Sequence, residues 1–420
     1  MKVYKFGGAS VHNIERIRNL GDILEKKEQG KYMVIVSAMG KTTNALEKVA
    51  EAFFAGRREE SIGLFHQIRD NHLETARGLM GDDFDRRSTL ESFFTEVEWM
   101  LHDKPVRNYD YYYDQVVCAG ELLSTAILSS YLNFRGIRNQ WMDVRDLIRT
   151  DDNFRDAGIQ WTVTGQQVAS QVLPLFDSED LIITQGFIGS TDENESTTLG
   201  REGSDYTAAV FANLLNAQSL TIWKDVEGVM SADPKVIPDA QLIPALNYDE
   251  VIEMAYYGAQ VIHPKTIKPL QNKGIPLYVK CFADPSLPGT VIHKQSVKGL
   301  PPIIVWKQKQ ALMHLHTKDF SFVGEHSVAS LYQRLSALKL KPNLIQSGAV
   351  TIQLCLDDHP ERVDKLAAMA SDDFEVELEK GLYLLTIRHY TEEIFQRELT
   401  GRKPELLQQT PDTLQALVKG

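Results

Sequence analysis

Cysteine is scarce in this 420-residue chain: only Cys118, Cys281 and Cys355 occur, at no spacing that suits a zinc site or a disulfide framework. They read as small core residues. Clustered Lys and Arg are lacking too. Asp and Glu total 57 against 45 for Lys and Arg, a formal charge of -12, which argues against a surface for nucleic-acid phosphates. An anionic substrate must therefore be met locally. No apolar run approaches the ~20 residues of a membrane span, and Met1 to Phe6 reads as a strand rather than a signal peptide, so the expected location is the cytoplasm with no membrane partner. Two phosphate-binding patterns are also missing. There is no G-x-x-x-x-G-K-[ST], which argues against a P-loop, and no G-x-G-x-x-G strand-helix unit follows the tail, so a fused dinucleotide-binding dehydrogenase is not expected.

What is present is the composition of an ordinary globular protein, 43% hydrophobic and 24% charged, and too long for one core. Through roughly the first 295 residues short β-rich runs alternate with helical patterns: Val3 to Phe6, then Ile14, Ile17, Leu20 and Leu24 at helical spacing, then Met33 to Val36. That is the rhythm of a mainly parallel α/β sheet. One long helical region is expected from about Asn44 to Asp103. The strand Leu181 to Thr184 leads to Gln185-Gly186-Phe187-Ile188-Gly189 and a polar loop from Ser190 to Thr198. A helix begins near Asp205, and the strand Leu220 to Trp223 ends at Lys224-Asp225. Ligands bind beyond the carboxyl ends of such strands. After Pro301-Pro302 the texture becomes α+β. Strands are expected near Ala311 to His316, Asn343 to Ser347, Val350 to Leu356 and Tyr383 to Ile387, with helices near Val328 to Leu338 and Val363 to Ala370.

Four motifs carry the chemistry. In Lys5-Phe6-Gly7-Gly8-Ala9-Ser10-Val11 a strand runs into two glycines before a helix, so backbone N–H groups can line an anion site beside the Lys5 charge; a plain strand-helix turn reads as well on this motif alone. Thr197-Thr198-Leu199-Gly200-Arg201-Glu202-Gly203-Ser204-Asp205 adds a planar fork for carboxylate or phosphate and a carboxylate for Mg²⁺ or a cation, although Ser204 and Asp205 are also ordinary helix-capping residues. The third is Lys224-Asp225-Val226-Glu227-Gly228-Val229 with Asp233-Pro234-Lys235. The fourth, Gly258-Ala259-Gln260-Val261-Ile262-His263-Pro264, contains a histidine that reads as a packed structural residue.

Taken in order with Ser37-Ala38-Met39-Gly40, Thr43-Asn44, Gly120-Glu121-Leu122-Leu123-Ser124 and Pro288-Gly289-Thr290, these segments resemble the aspartate kinase family over about residues 1–292. The resemblance implies the amino-acid kinase fold at 1–295, then ACT-type regulatory domains: a first unit at 311–380, and a second, shortened one built from 302–310 and 381–420. It implies transfer of the ATP γ-phosphate to the β-carboxylate of L-aspartate, with ATP and Mg²⁺ and no metal held by the protein alone. Lys5 and Asp205 take the catalytic roles. Glu121 receives the substrate α-ammonium and Arg201 its α-carboxylate, while Ser37, Thr43, Phe187 and Ser204 complete the aspartate site. Gly7, Gly8 and Ser10 cradle phosphates, and Lys224, Asp225, Met230, Lys235 and Gln260 line the nucleotide side. The ACT-type tail implies an amino-acid effector and a homodimer.

Several positions depart from the family. Glu202 stands where Gly is usual, Gln260 where a nucleotide-contacting Lys is common, and Met230 where an aromatic often lies. A lost charged hydrogen bond costs about 1.5–3 kcal/mol, which Lys224 offsets in part. Asn343 holds a position often acidic in lysine-inhibited relatives. Two other readings stand beside the first: another amino-acid kinase of this fold, glutamate 5-kinase-like, and an amino-acid-binding regulatory subunit with a weakened kinase site.

Overall fold

The computed structural model describes residues 1–81, 84, 90–259, 262–318 and 321–419. The chain divides into two compact units. The first comprises Met1–Val229, Leu242–Ile252 and Val261–Val297, and the second Met230–Gln241, Glu253–Gln260 and Lys298–Gly420. Two short segments before residue 295 thus belong to the second unit, where the sequence placed them in the catalytic domain.

In the first unit the strands are β1 (Lys2–Phe6), β2 (Tyr32–Val36), β3 (Gln140–Trp141), β4 (Leu181–Gln185), β5 (Ile188–Ser190), β6 (Ser196–Thr198), β7 (Ser219–Lys224), β8 (Ala245–Asn247), β9 (Leu277–Cys281) and β10 (Thr290–His293). Eight of them form one sheet in the order β3-β4-β2-β1-β7-β9-β10-β8. Neighbours from β3 to β9 run parallel, and β10 is antiparallel to β9. Every residue of β2 and β4 is buried, as strands covered on both faces require. The expected loop after Phe187 is closed by the antiparallel pair β5 and β6.

Helices in this part of the chain are α1 (Ile14–Glu25), α2 (Thr42–Phe54), α3 (Arg58–Met80), α4 (Glu91–His102), α5 (Tyr109–Val117), α6 (Ala119–Phe134), α7 (Trp161–Gln167), α8 (Gly203–Leu214), α9 (Tyr248–Tyr256) and α10 (Pro264–Lys273). The single helical region expected from Asn44 to Asp103 is therefore broken. Gly56 and Gly81 adopt φ of +76° and +65°, a left-handed conformation that stops a helix and that glycine takes without strain. Tyr109–Phe134 forms a continuous 26-residue helical stretch, long and apolar enough to cross a membrane by length and composition, which the sequence reading passed over. Its most apolar window is 89% buried inside the protein, so it is a core helix. α6 and α8 are likewise almost wholly buried.

The second unit contains β11 (Ile303–Thr317), α11 (Glu325–Ala337), β12 (Pro342–Ser347), β13 (Thr351–Asp357), α12 (Pro360–Ala370), β14 (Phe374–Arg388), α13 (Glu392–Leu399), β15 (Pro404–Gln409) and β16 (Thr413–Lys419). They form one antiparallel six-stranded sheet, β12-β13-β11-β14-β16-β15. At 15 residues each, β11 and β14 are more than twice the expected length. Residues 303–307 pair with 384–388, and residues 310–317 pair with 374–382, across a register shift at Lys307 to Leu312. Each long strand thus serves both halves of the sheet.

Candidate active site

Four loops leave the carboxyl ends of the adjacent parallel strands β4, β2, β1 and β7, where ligands of open α/β sheets bind. Hydrogen bonds tie them together: Ser37 N–H donates to the Phe6 carbonyl at 3.1 Å, Gly40 N–H to that of Gly8 at 3.0 Å, and Gly186 N–H to that of Val36 at 3.1 Å. The fit allows no side chain at two points. A Cβ on Gly8 would lie 2.7 Å from the Ala38 carbonyl oxygen, and one on Gly186 would lie 2.5 Å from Ser204 Cβ.

At the centre, Lys5 near the end of β1 meets Asp205 in the first turn of α8. Lys5 Nζ lies 2.6 Å from Asp205 Oδ1, and Lys224 Nζ approaches Oδ2 at 3.7 Å. Lys5 and Asp205 are buried. Burial pushes the Asp205 carboxyl up, but the Lys5 and Lys224 charges outweigh it and hold the group below its ordinary value. An ionised carboxylate clamped between two ammonium groups is thus stable in the interior, and it fixes both cations. Gly7 borders the Lys5 ammonium, its Cβ position 3.5 Å from Nζ. Buried Ser10 donates its backbone N–H to the Gly7 carbonyl at 2.9 Å.

Glu121 starts the buried helix α6, beside the loop after β2. Its Oε1 accepts the Ala38 N–H at 3.2 Å, while the equally buried Oε2 has no hydrogen-bond partner among the described residues. Burial raises this carboxyl to about 8, against the lowering effects of the Ala38 N–H and the Lys5 charge. A buried acceptor left unpaired costs about 1–3 kcal/mol, more if ionised, so a site of this kind is made to receive a cation.

Around these groups, Ser37 accepts the Ser124 hydroxyl on its carbonyl at 2.8 Å. Thr43 is half-buried in the first turn of α2, and Ser204 is buried in the first turn of α8. Phe187 has a left-handed backbone with φ of +71°, held by its N–H to Thr207 Oγ1 at 3.0 Å. Arg201 is exposed and makes no hydrogen bond or ion pair among the described residues. Glu202 also takes a left-handed φ of +54°, a conformation glycine adopts without strain. Its Oε2 instead accepts the His263 N–H at 3.0 Å, so His263 is a structural contact. Asp225 is ion-paired with Arg16 at 2.6 Å. Met230 and Lys235 belong to the second unit, and Gln260 lies outside the described residues.

Three supporting residues were not read from the sequence: Arg16, Thr207 and Asp114. Asp114, wholly buried on α5, accepts the Thr198 N–H and hydroxyl at 2.8 and 2.7 Å and the Arg155 N–H at 2.9 Å, which anchors β6 ahead of Arg201. Its position seven residues before Glu121 on a helical pattern was the one available signal.

Comparison with known proteins gives a consistent result. The amino acid kinase family matches residues 1–281. The lysine-sensitive aspartokinase 3 of Escherichia coli is 32% identical over 398 residues, covering 92% of this chain and 86% of that protein. The crystal structure of E. coli aspartokinase III with aspartate and ADP, in the R-state, superposes with a TM-score of 0.84 at 29% identity, covering all of this chain and 96% of that one. The same enzyme with lysine and aspartate, in the T-state, gives 0.79 at 29% identity and the same coverage.

Proposed function

This chain belongs to the amino acid kinase family, and from that premise we propose that its site transfers the γ-phosphoryl group of ATP to the β-carboxylate of L-aspartate. It is an aspartate kinase, and the reading of the residues rests on the unpaired, buried Oε2 of Glu121. That oxygen is satisfied when an α-ammonium group enters, and ionising Glu121 against the ammonium replaces a buried neutral acid with a charge-assisted pair. Arg201 holds the α-carboxylate with its free fork, and Ser37, Thr43, Phe187 and Ser204 close around the amino acid.

The nucleophile is a carboxylate with an ordinary value near 4, ionised at neutral pH, so no general base is required. The barrier comes from bringing two anions together. Lys5 supplies positive charge where it develops on the transferring group, and the buried Asp205 keeps that ammonium in place. Gly7, Gly8 and Ser10 cradle the phosphates. Lys224 and Asp225, at the end of β7, line the nucleotide side.

Among the described residues no group of three or more acidic, His or Cys side chains could cage a metal. This suits Mg²⁺, which arrives on nucleotide phosphates and takes only one or two carboxylates from a protein. The bound ion would neutralise phosphate charge. The enzyme works in the cytoplasm as a homodimer with an amino-acid effector site in its second unit, whose sheet leaves β12 and β15 as edge strands. A coupled ADP-release assay with aspartate, glutamate and N-acetylglutamate tests the substrate assignment; equal or faster turnover of glutamate would overturn it. Sedimentation that shows only monomer at micromolar concentration would overturn the dimer.

A further inference from the structure

We propose that Arg16 is a positioning residue for the nucleotide side, one that joins the phosphate-cradling turn to the end of β7 and cancels the charge of Asp225. The proposal rests on the kinase reading above and deepens it. Arg16 lies in the first turn of α1. Its Nη1 donates to the Ala9 carbonyl at 3.0 Å and also meets Asp225 Oδ1 at 2.6 Å. One guanidinium nitrogen therefore bridges the turn after β1 and the residue after Lys224. The guanidinium also packs over the Phe282 ring, 5.6 Å from its centroid.

Phe282 is itself fixed to the same place. Its N–H donates to the Lys224 carbonyl at 2.8 Å, and its own carbonyl accepts Asn19 Nδ2 at 2.9 Å. Arg16 and Asn19 are three residues apart on one face of α1. That face thus grips the peptide of Lys224, the side chain of Asp225 and the ring of Phe282, while it pins the Ala9 carbonyl on the far side of Gly7 and Gly8. The ion pair is 34% exposed at Arg16 and 43% at Asp225, so it adds little to stability. Its consequence is electrostatic and local. Without Arg16, Asp225 presents an uncompensated negative charge next to the segment that receives a polyphosphate, and the Ala9 peptide loses its fixed direction.

The test is calorimetric binding of ATP to the full-length protein, followed by steady-state kinetics, for wild type, R16M, R16K, D225N and R16M/D225N. R16M is expected to weaken ATP binding and raise its KM about tenfold, with KM for aspartate within twofold of wild type and the melting temperature nearly unchanged. R16K, which keeps the charge, should recover part of the loss. R16M/D225N should bind ATP more tightly than R16M, because removing the carboxylate removes the repulsion that the lost guanidinium had cancelled. Unchanged ATP binding in R16M would overturn the inference and leave the kinase reading intact. Parallel rises in both KM values with a lowered melting temperature would reduce Arg16 to a structural contact and also overturn it. A wild-type protein that binds no ATP would overturn the kinase reading itself.

Discussion

At the residue scale the site is a set of charges held against their own desolvation, and this sets what their removal does. Lys5→Ala deletes the cation nearest the reacting centre, and kcat is expected to fall by several orders of magnitude. Lys224 remains 3.7 Å from Asp205, so the carboxylate keeps one partner and the fold survives. A variant that held more than about a tenth of wild-type kcat, a loss under about 1.4 kcal/mol, would remove Lys5 from the mechanism. Glu121 gives a sharper test. With its carboxyl raised to about 8 by burial, the free enzyme at pH 6 carries it protonated, and on the proposed role of Glu121 the substrate ammonium displaces that proton. KM for aspartate should therefore fall as pH rises from 6 toward 8, by up to tenfold per unit, and then level off. Glu121→Gln should have a high KM that lacks this slope; a slope equal to wild type would assign the titration elsewhere. The sequence offered Lys5, Glu121, Arg201 and Asp205 as candidates, because each stands in a distinctive local motif. Their pairing was not, since Lys5 and Asp205 are 200 positions apart and Arg16 meets Asp225 through folding alone.

At the element scale the glycines decide how closely the site loops approach. Gly186 brings the end of β4 against the start of α8, and an added Cβ would meet Ser204 Cβ at 2.5 Å and its Cα at 2.8 Å. Gly186→Ala is expected to cost about 1–3 kcal/mol as the backbone shifts, and to lower kcat because the shift moves Asp205. Gly63, by contrast, lies inside α3 with nothing within 4 Å of its would-be Cβ. Gly63→Ala should stabilise by about 0.5–1 kcal/mol with kinetics unchanged, and thermal melting of the two variants reads the contrast. A Gly186→Ala protein as stable and active as wild type would show that the loops have slack. Strand and helix identities were readable from period and burial, as in the unbroken apolar runs of β2 and β4. The full 15-residue length of β11 and β14 was not, because strand pairing between residues 57 to 85 apart leaves no local mark.

At the scale of the whole molecule, the second unit raises the question of which amino acid it senses. The E. coli relative is described as lysine-sensitive, and Asn343 is the residue on which the resemblance led to an expectation of weak lysine inhibition here. Asn343 is committed within its own sheet. Its Nδ2 donates to Gln310 Oε1 at 2.7 Å and to Asp357 Oδ1 at 2.9 Å, and its Oδ1 accepts the Lys307 ammonium at 2.9 Å. Lys307 also reaches Asp357 at 2.8 Å. Burial pushes Asp357 up, but hydrogen bonds from Lys307, Gln310 and Asn343 outweigh it and hold the group below its ordinary value, so its charge is already matched. A lysine effector would have to compete with a tethered ammonium for the Asp357 carboxylate of this half-buried cluster. Losing one charge-assisted partner costs about 1.5–3 kcal/mol, roughly ten- to a hundredfold in affinity. Inhibition further requires the effector to bind a less active state more tightly than the active one. Lysine is therefore expected to inhibit weakly or not at all, with threonine or no effector the favoured outcome. Titration of lysine, threonine and methionine singly against kinase activity checks this. Half-maximal inhibition by lysine below about 1 mM, an affinity of about 4 kcal/mol, would show that a lysine site exists despite Asn343 and that the Lys307 cluster does not block it.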